Sequence, residues 1–280
     1  MASSGAPQGR AHASFRTATA DTVAVPEWGD IRPVARVEPS VQLIRVTPDP
    51  AEVIATAAKL CYASETDGIL DQDPQKAQKF VDMLTRMGHM SPIEHAAFSF
   101  YIEGVSRAMT HQLVRHRLAS YSQRSQRYVA HDSFDYVMPP QLEGKTVDID
   151  GREVDAGEYF RDTMEVISER YAKLNDALGR AGEKSNEDAR YVLPNACETK
   201  IVVTMNAREL LHFFQERLCM RAPWEIRRVA EMMMELVKEA CPAVFNGAGP
   251  KCIARGSCPE GRMTCGRYKE MVERYARRTA

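Results

Sequence analysis

Apolar and polar positions along the chain fall into alternating strand-like and helix-like runs. SVQLIRV at 40–46 is β-branched and predicts a strand. Asp49-Pro50 then opens a helix carrying AEVIATAAKLCYA, since proline suits a first helical turn. Asp73-Pro74 opens a second helix, with Ala77, Phe80, Val81, Leu84 and Met87 as its apolar face and Gly88 as its stop. AAFSFYIEG (96–104) has strand composition, and Ser106 can cap a helix through about Arg117. The polar Ser/Gln/Arg stretch that follows predicts a loop, and GKTVDIDGREV (144–154) predicts a hairpin. Phe160, Met164, Ile167, Tyr171, Leu174 and Leu178 recur at the spacing of a long amphipathic helix. A short helix through NEDARYVL should stop before Pro194, and TKIVVTM (199–205) alternates like a strand. Two helices follow, near 207–219 and 223–240.

Strands interspersed with helices predict an α+β domain, a single mixed or antiparallel sheet packed by helices. Residues 1–35, rich in Ala, Ser, Thr, Gly and Pro, show no sustained apolar period and read as a disordered or loosely attached extension. The main domain is expected over 36–245, with a cysteine-containing tail at 246–280.

A hydrophobic fraction of 44% suffices for a sizeable core. The net charge of −1 excludes a generally basic coat for nucleic acid. No apolar run approaches the ~18 residues of a membrane helix. The chain starts without the apolar core of an export signal, and seven cysteines in such a chain point to a reducing, cytoplasmic setting.

One local feature changes this bland picture. Residues 115–128 read RHRLASYSQRSQRY, and no acid occurs anywhere between 104 and 131. Arg107, His111 and Arg115 would share a helix face at i, i+4 and i+8. Stacked cations repel unless an anion joins them, and arginine forks suit phosphate oxygens. Ser120, Ser122 and Ser125 add neutral donors. Charge alone leaves three readings open: a phosphate site, an ion-paired surface, or an RNA contact in which Tyr121 and Tyr128 stack on bases.

Longer motifs narrow the choice. Arg115-His116-Arg117, Ser120 and Ser125-Gln126-Arg127-Tyr128 resemble the RHR-xx-S-xxxx-S-x-R-Y signature of the flavin-dependent thymidylate synthases. GHMSPIEH (88–95), ARYVLPNA (189–196), MNARELLHFFQERLC (205–219) and APWEIR (222–227) resemble further segments of that family, in its order.

The resemblance implies reductive methylation of dUMP to dTMP, with methylenetetrahydrofolate as carbon donor and NADPH as reductant through bound FAD. It implies a homotetramer with shared active sites and no nucleic acid partner. By family position, Gln112, Leu113, Val114, Arg115, Gln123, Arg124, Ser125, Gln126, Arg127 and Arg190 would contact dUMP. Arg217 would lie by the uracil as the catalytic residue. Ser91, Arg115, His116, Arg117, Gln123, Asn206, Ala207, Arg208 and His212 would bind FAD, with His89 and Glu94 near the flavin. Gln123 stands where some relatives carry Glu, and His212 where some carry Asn.

Local alternatives stand beside these roles. Ser91-Pro92-Ile93-Glu94 also reads as a helix cap, and Arg208 with His212 as a solvated helix face. Cys61, Cys197 and Cys219 read as core residues, so no cysteine nucleophile is expected. Cys241, Cys252, Cys258 and Cys265 suit zinc, an iron–sulfur cluster, disulfides or free thiols. They form no tight CxxC pair, and no metal is assigned.

Overall fold

The computed structural model describes residues 33–275, so the extension expected at 1–35 lies, for its first 32 residues, outside the described part. The centre is a four-stranded antiparallel sheet in the order β1-β2-β6-β3. Its strands are β1 (Ser40–Val46), β2 (Ala97–Ser106), β3 (Ala119–Gln123) and β6 (Glu198–Asn206). The hairpin of β4 (Thr146–Ile149) and β5 (Arg152–Asp155) stands apart and turns at Asp150-Gly151, both with positive φ. An α+β fold with an antiparallel sheet is therefore observed.

The central strands alternate as a half-covered sheet must. Phe98, Phe100 and Ile102 of β2 and Ile201, Val203 and Met205 of β6 are buried. They share one core with α1 (Pro50–Leu60), α2 (Pro74–Met87), α6 (Ala207–Arg217), α7 (Trp224–Ala240) and α8 (Pro242–Phe245). Phe245 packs edge-on against Phe98 and Phe214, with ring centres 5.5 and 6.0 Å away. Beyond it, α9 (Lys251–Ala254) and α10 (Tyr268–Tyr275) continue the chain, and Cys252, Met271 and Tyr275 join the same core.

Several expectations need correction. The stretch expected as a loop contains β3, where Ala119, Tyr121 and Gln123 are half-buried and the intervening serines exposed. Helix α3 (Arg107–Leu113) ends short of Arg117, because the Arg115 and His116 amides bond back three residues. Arg115 thus lies beyond the helix that was to stack it with Arg107 and His111. Met87 is exposed rather than part of the α2 face. So is Cys61, which sits just past the end of α1.

Leu174 and Leu178 are also exposed, although the long helix α4 (Ala156–Ala177) forms as expected. Tyr171 and Asn175 there both donate to Asn186 Oδ1, at 3.2 and 3.1 Å. This buried polar contact with α5 (Glu183–Ala189) rotates the packed face one residue past Leu174. The short helix does end before Pro194, through a 3-10 turn at Arg190–Val192.

Ser106 links sheet and site. Its Oγ accepts the Met109 amide at 3.0 Å, capping α3. Its own amide and hydroxyl donate to the buried Glu225 carboxylate at 2.7 and 2.5 Å. Glu225→Leu orphans both donors and should destabilise the fold by about 2 kcal/mol in urea unfolding. An unchanged midpoint would mean that water replaces the carboxylate at no cost.

Candidate active site

After α3 the chain makes a tight turn held from below. Tyr121 Oη lies 2.8 Å from the carbonyls of both Leu113 and His116, and its hydroxyl bridges them. Burial pushes the Tyr121 pKa up, so the clamp stays protonated. The turn sends His116 inward, to 5% exposure, and Arg115 and Arg117 outward.

His116 packs edge-on against Phe213 at 4.9 Å and His212 at 5.8 Å. Its Nε2 accepts from Arg217 Nε at 3.0 Å, which places the ring proton on Nδ1, 3.3 Å from Glu209 Oε1. Burial first, then the charges of Arg217 and His212, lower its pKa to about 4, against an opposing pull from Glu216. The His116–Glu209 contact is therefore an approach between a neutral ring and the carboxyl, not an ion pair.

A depressed histidine pKa has a signed consequence. Above pH ~6.5 the ring is neutral folded and unfolded, and as pH falls toward 4 only the unfolded chain takes the proton. Stability is therefore lost over that window. Flavin-free His116→Asn should take up about one proton fewer on unfolding there, measured by urea titrations between pH 4.5 and 7. Parallel pH profiles for the two proteins would refute the buried neutral ring.

Arg117, Arg115, Arg208, Asn206, His212 and Arg217 line one cavity of 1090 Å³, together with Glu94, Glu209, Glu216 and Ser120. Asn206 caps α6 by accepting the Glu209 amide at 2.9 Å, so the positive end of that helix faces the same region. Arg208 pairs with Glu94 at 2.5 Å, and Glu216 with Lys251 at 2.7 Å. Arg115 and Arg117 form no ion pair among the described residues. Arg217 adds a bond from Nη2 to the Gln112 carbonyl at 3.4 Å, and burial lowers its pKa from the usual value.

Six of the nine residues expected at a flavin therefore border one cavity. Ser91 does not, and its side chain makes no capping bond, its backbone being already helical rather than extended, while the Glu94 carboxylate pairs with Arg208. Ala207 is buried in the start of α6. Gln123 lies at the other end of β3, bonded to Thr110 at 2.9 Å and Thr199 at 3.3 Å.

Of the other residues expected at dUMP, Arg124, Ser125, Gln126, Arg127 and Arg190 form a second group beyond that strand end, whereas Gln112 turns its carbonyl to Arg217, Leu113 is buried in the core and Val114 is exposed just past α3. Arg127 pairs with Glu183 at 2.5 Å and Glu187 at 2.8 Å, and Ser125 Oγ accepts the Arg127 amide at 3.1 Å. Arg190 Nε donates to the Glu187 carbonyl at 3.1 Å. Gln126 faces the Cys197 sulfur at 3.7 Å. Arg124 is 3.9 Å from the buried Glu198, and its carbonyl accepts from Arg107 at 3.4 Å. Arg107 thus joins this group, and burial lowers its pKa, with the charge of Arg190 a smaller cause.

Glu209, like Glu216, is a cavity residue that sequence reasoning missed. Its only signal is an acid three residues after the capping Asn206, which a helix start already explains.

Comparison with known proteins places these geometries. A family model described as thymidylate synthase complementing protein matches residues 42–243. The flavin-dependent thymidylate synthase of Clostridium tetani is 46% identical over 248 residues, covering 84% of this chain and 96% of that protein. Its counterpart from Nitratidesulfovibrio vulgaris is 48% identical over 246 residues, covering 83% and 96%. Among solved structures, the UMP/dUMP methylase PolB from Streptomyces cacaoi, bound with 5-Br dUMP, aligns with a TM-score of 0.60 at 28% identity. That alignment covers 76% of this chain and 95% of PolB.

Proposed function

The chain belongs to the flavin-dependent thymidylate synthases and methylates dUMP to dTMP with FAD as cofactor, and from that premise we propose how its residues divide the work. The observation that carries the assignment is that Arg115 and Arg117, without an ion pair among the described residues, border a dinucleotide-sized cavity at a helix N-terminus. At 1090 Å³ the cavity is as large as the upper end of common small-molecule sites, ~300–1,000 Å³.

FAD would be held there by Arg115, Arg117 and Arg208 through its diphosphate, with Asn206 and His212 alongside. When bound, the flavin supplies electrons taken from NADPH. Methylenetetrahydrofolate is the carbon donor in this reading.

The protein's own contribution is charge and position. Neutral His116 fixes the Arg217 fork through Nε, and the Gln112 carbonyl holds its other arm. Placed by the uracil edge, that guanidinium stabilises negative charge on the pyrimidine and makes the carbon that receives the methyl group more nucleophilic. Ser125, Arg127 and Arg190 are the phosphate grip for dUMP, once its dianion competes for Arg127, now turned to the Glu183 and Glu187 carboxylates, and for Arg190, now turned to the Glu187 carbonyl.

Within one chain the grip and the cavity lie at opposite ends of β3. A shared active site in a homotetramer, where one subunit's grip meets another's cavity, reconciles their separation. Anaerobic incubation with FAD, NADPH, methylenetetrahydrofolate and dUMP should yield dTMP, and omission of any one should abolish it. Product formation in a strictly monomeric preparation would overturn the shared site, and turnover without NADPH would overturn the choice of reductant.

A further inference from the structure

A second cavity, of 270 Å³, shares Glu216 and Arg217 with the first and is lined by Cys219, Cys252, Cys258 and Cys265. Cys219 follows the C-terminus of α6, Cys252 lies on α9, and the other two sit in the loop leading to α10. The sequence grouped Cys241 with the tail cysteines, but the structure substitutes Cys219. Cys241 is wholly buried in the core, where burial pushes its thiol up to about 11. Cys252 is buried, and Cys258, Cys219 and Cys265 all lie within electrostatic range of it. Three of the four lie beyond residue 243, outside the family match.

We propose that Cys219, Cys252, Cys258 and Cys265 ligate a cuboidal iron–sulfur cluster of four irons and four sulfides. A single zinc ion, with Zn–S near 2.3 Å, draws four sulfurs onto one point, about 3.8 Å from each other. Among the described residues no three His, Cys, Asp or Glu side chains are grouped to hold one ion. All four cysteines line one cavity instead, which suits a cluster that meets each thiolate at a separate iron.

The frame around the cavity is held independently of any metal. Lys251 pairs with Glu216 at 2.7 Å, Arg221 with Glu260 at 2.6 Å, and Tyr268 donates to the Gly256 carbonyl at 2.6 Å. Buried Met271 and Tyr275 then anchor α10 in the main core. Arg217, without an ion-pair partner among the described residues, offsets the negative charge that four thiolates bring. The cluster would fasten the tail to the end of α6, beside the proposed catalytic arginine.

The test is metal and sulfide analysis of the full chain, purified without oxygen and reconstituted with ferrous iron and sulfide. About four iron and four acid-labile sulfide per chain are expected, with a fast-relaxing paramagnetic signal after dithionite reduction that a flavin radical does not give. Cys258→Ala and Cys265→Ala should lose most of the iron while retaining the wild-type circular dichroism, and Cys61→Ala should keep it all. About one zinc per chain without sulfide would overturn the cluster in favour of a single ion. Iron-free protein with four thiol-reactive cysteines would overturn the site, as would full iron in the Cys258 and Cys265 variants. If those variants do not fold, the wild-type iron and sulfide content decides.

Discussion

Gly104→Ala is expected to be the most damaging glycine-to-alanine change among the described residues, with a loss of about 4 kcal/mol or more in unfolding free energy. Gly104 sits at the register shift between Ile102 and Val105, with φ +66, a region costly for any residue with a Cβ. A Cβ there would lie 2.0 Å from the Glu38 carbonyl oxygen and 2.8 Å from its carbon. Both atoms are backbone, so no side chain can swing aside. Glu38 leads directly into β1, whose Ser40 pairs with Glu103.

Two escapes exist and both are expensive. Displacing 38–40 unzips the start of β1, while displacing Gly104 pulls its amide from the buried Glu198 carboxylate, 3.2 Å away. Ser106, which caps α3, is two residues further on, so the second route reaches the turn at Arg115. Typical domains have ~5–15 kcal/mol in all, so soluble yield and the urea midpoint should both fall sharply. Gly151→Ala is the control: its φ is +82, but nothing lies within 4 Å of the added carbon. It should cost only about 1 kcal/mol. Equal losses for the two variants would show that the clash with Glu38 is relieved.

Much of this architecture is legible in the sequence because its signals are strong and redundant. β2 and β6 combine apolar alternation with length, and α2, α6 and α7 combine a helical period with a capping residue or a proline at the start. β3 escapes notice because ASYSQ has Tyr121 as its only large apolar side chain, and only the ladder to Met205–Ile201 makes it a strand. The α4 face is misread at Leu174 because a buried Asn175–Asn186 bond outweighs an apolar position, a choice that no one-dimensional period encodes.

The site is legible by residue and illegible by grouping. Motifs name Arg115, His116, Arg117, Asn206, Arg208, His212 and Arg217, and the cavity contains them all. Spacing along the chain cannot say that Gln123, six residues after Arg117, faces a different set of partners across β3. Nor does it say that Cys219, more than thirty residues upstream of Cys252, lines a cavity with the tail thiols in place of Cys241.

Arg217→Ala should lower turnover of dUMP by about 10²–10³ while leaving flavin bound. The proposed role is electrostatic, and the magnitude follows that of removing one preorganised charge aimed at a developing anion. Arg115, Arg117 and Arg208 remain to hold the flavin diphosphate, so the bound-flavin absorbance should persist. Arg217→Lys separates charge from geometry. Lysine keeps a cation but lacks the planar fork that reaches the His116 ring and the Gln112 carbonyl together. It should recover only part of the loss, mainly in kcat, because the missing positioning matters most where charge develops.

His116 reports whether the alanine variant is intact. Arg217 is the second cause of that residue's depressed pKa, after burial. Its removal should move the imidazole titration upward from about 4, yet still below the ordinary value of 6.5, because the ring stays buried. A variant that shows this shift, binds flavin and still forms dTMP at the full rate would remove Arg217 from the chemistry. A variant that shows the shift, binds flavin and fails to turn over would leave the loss of one positioned charge as the cause.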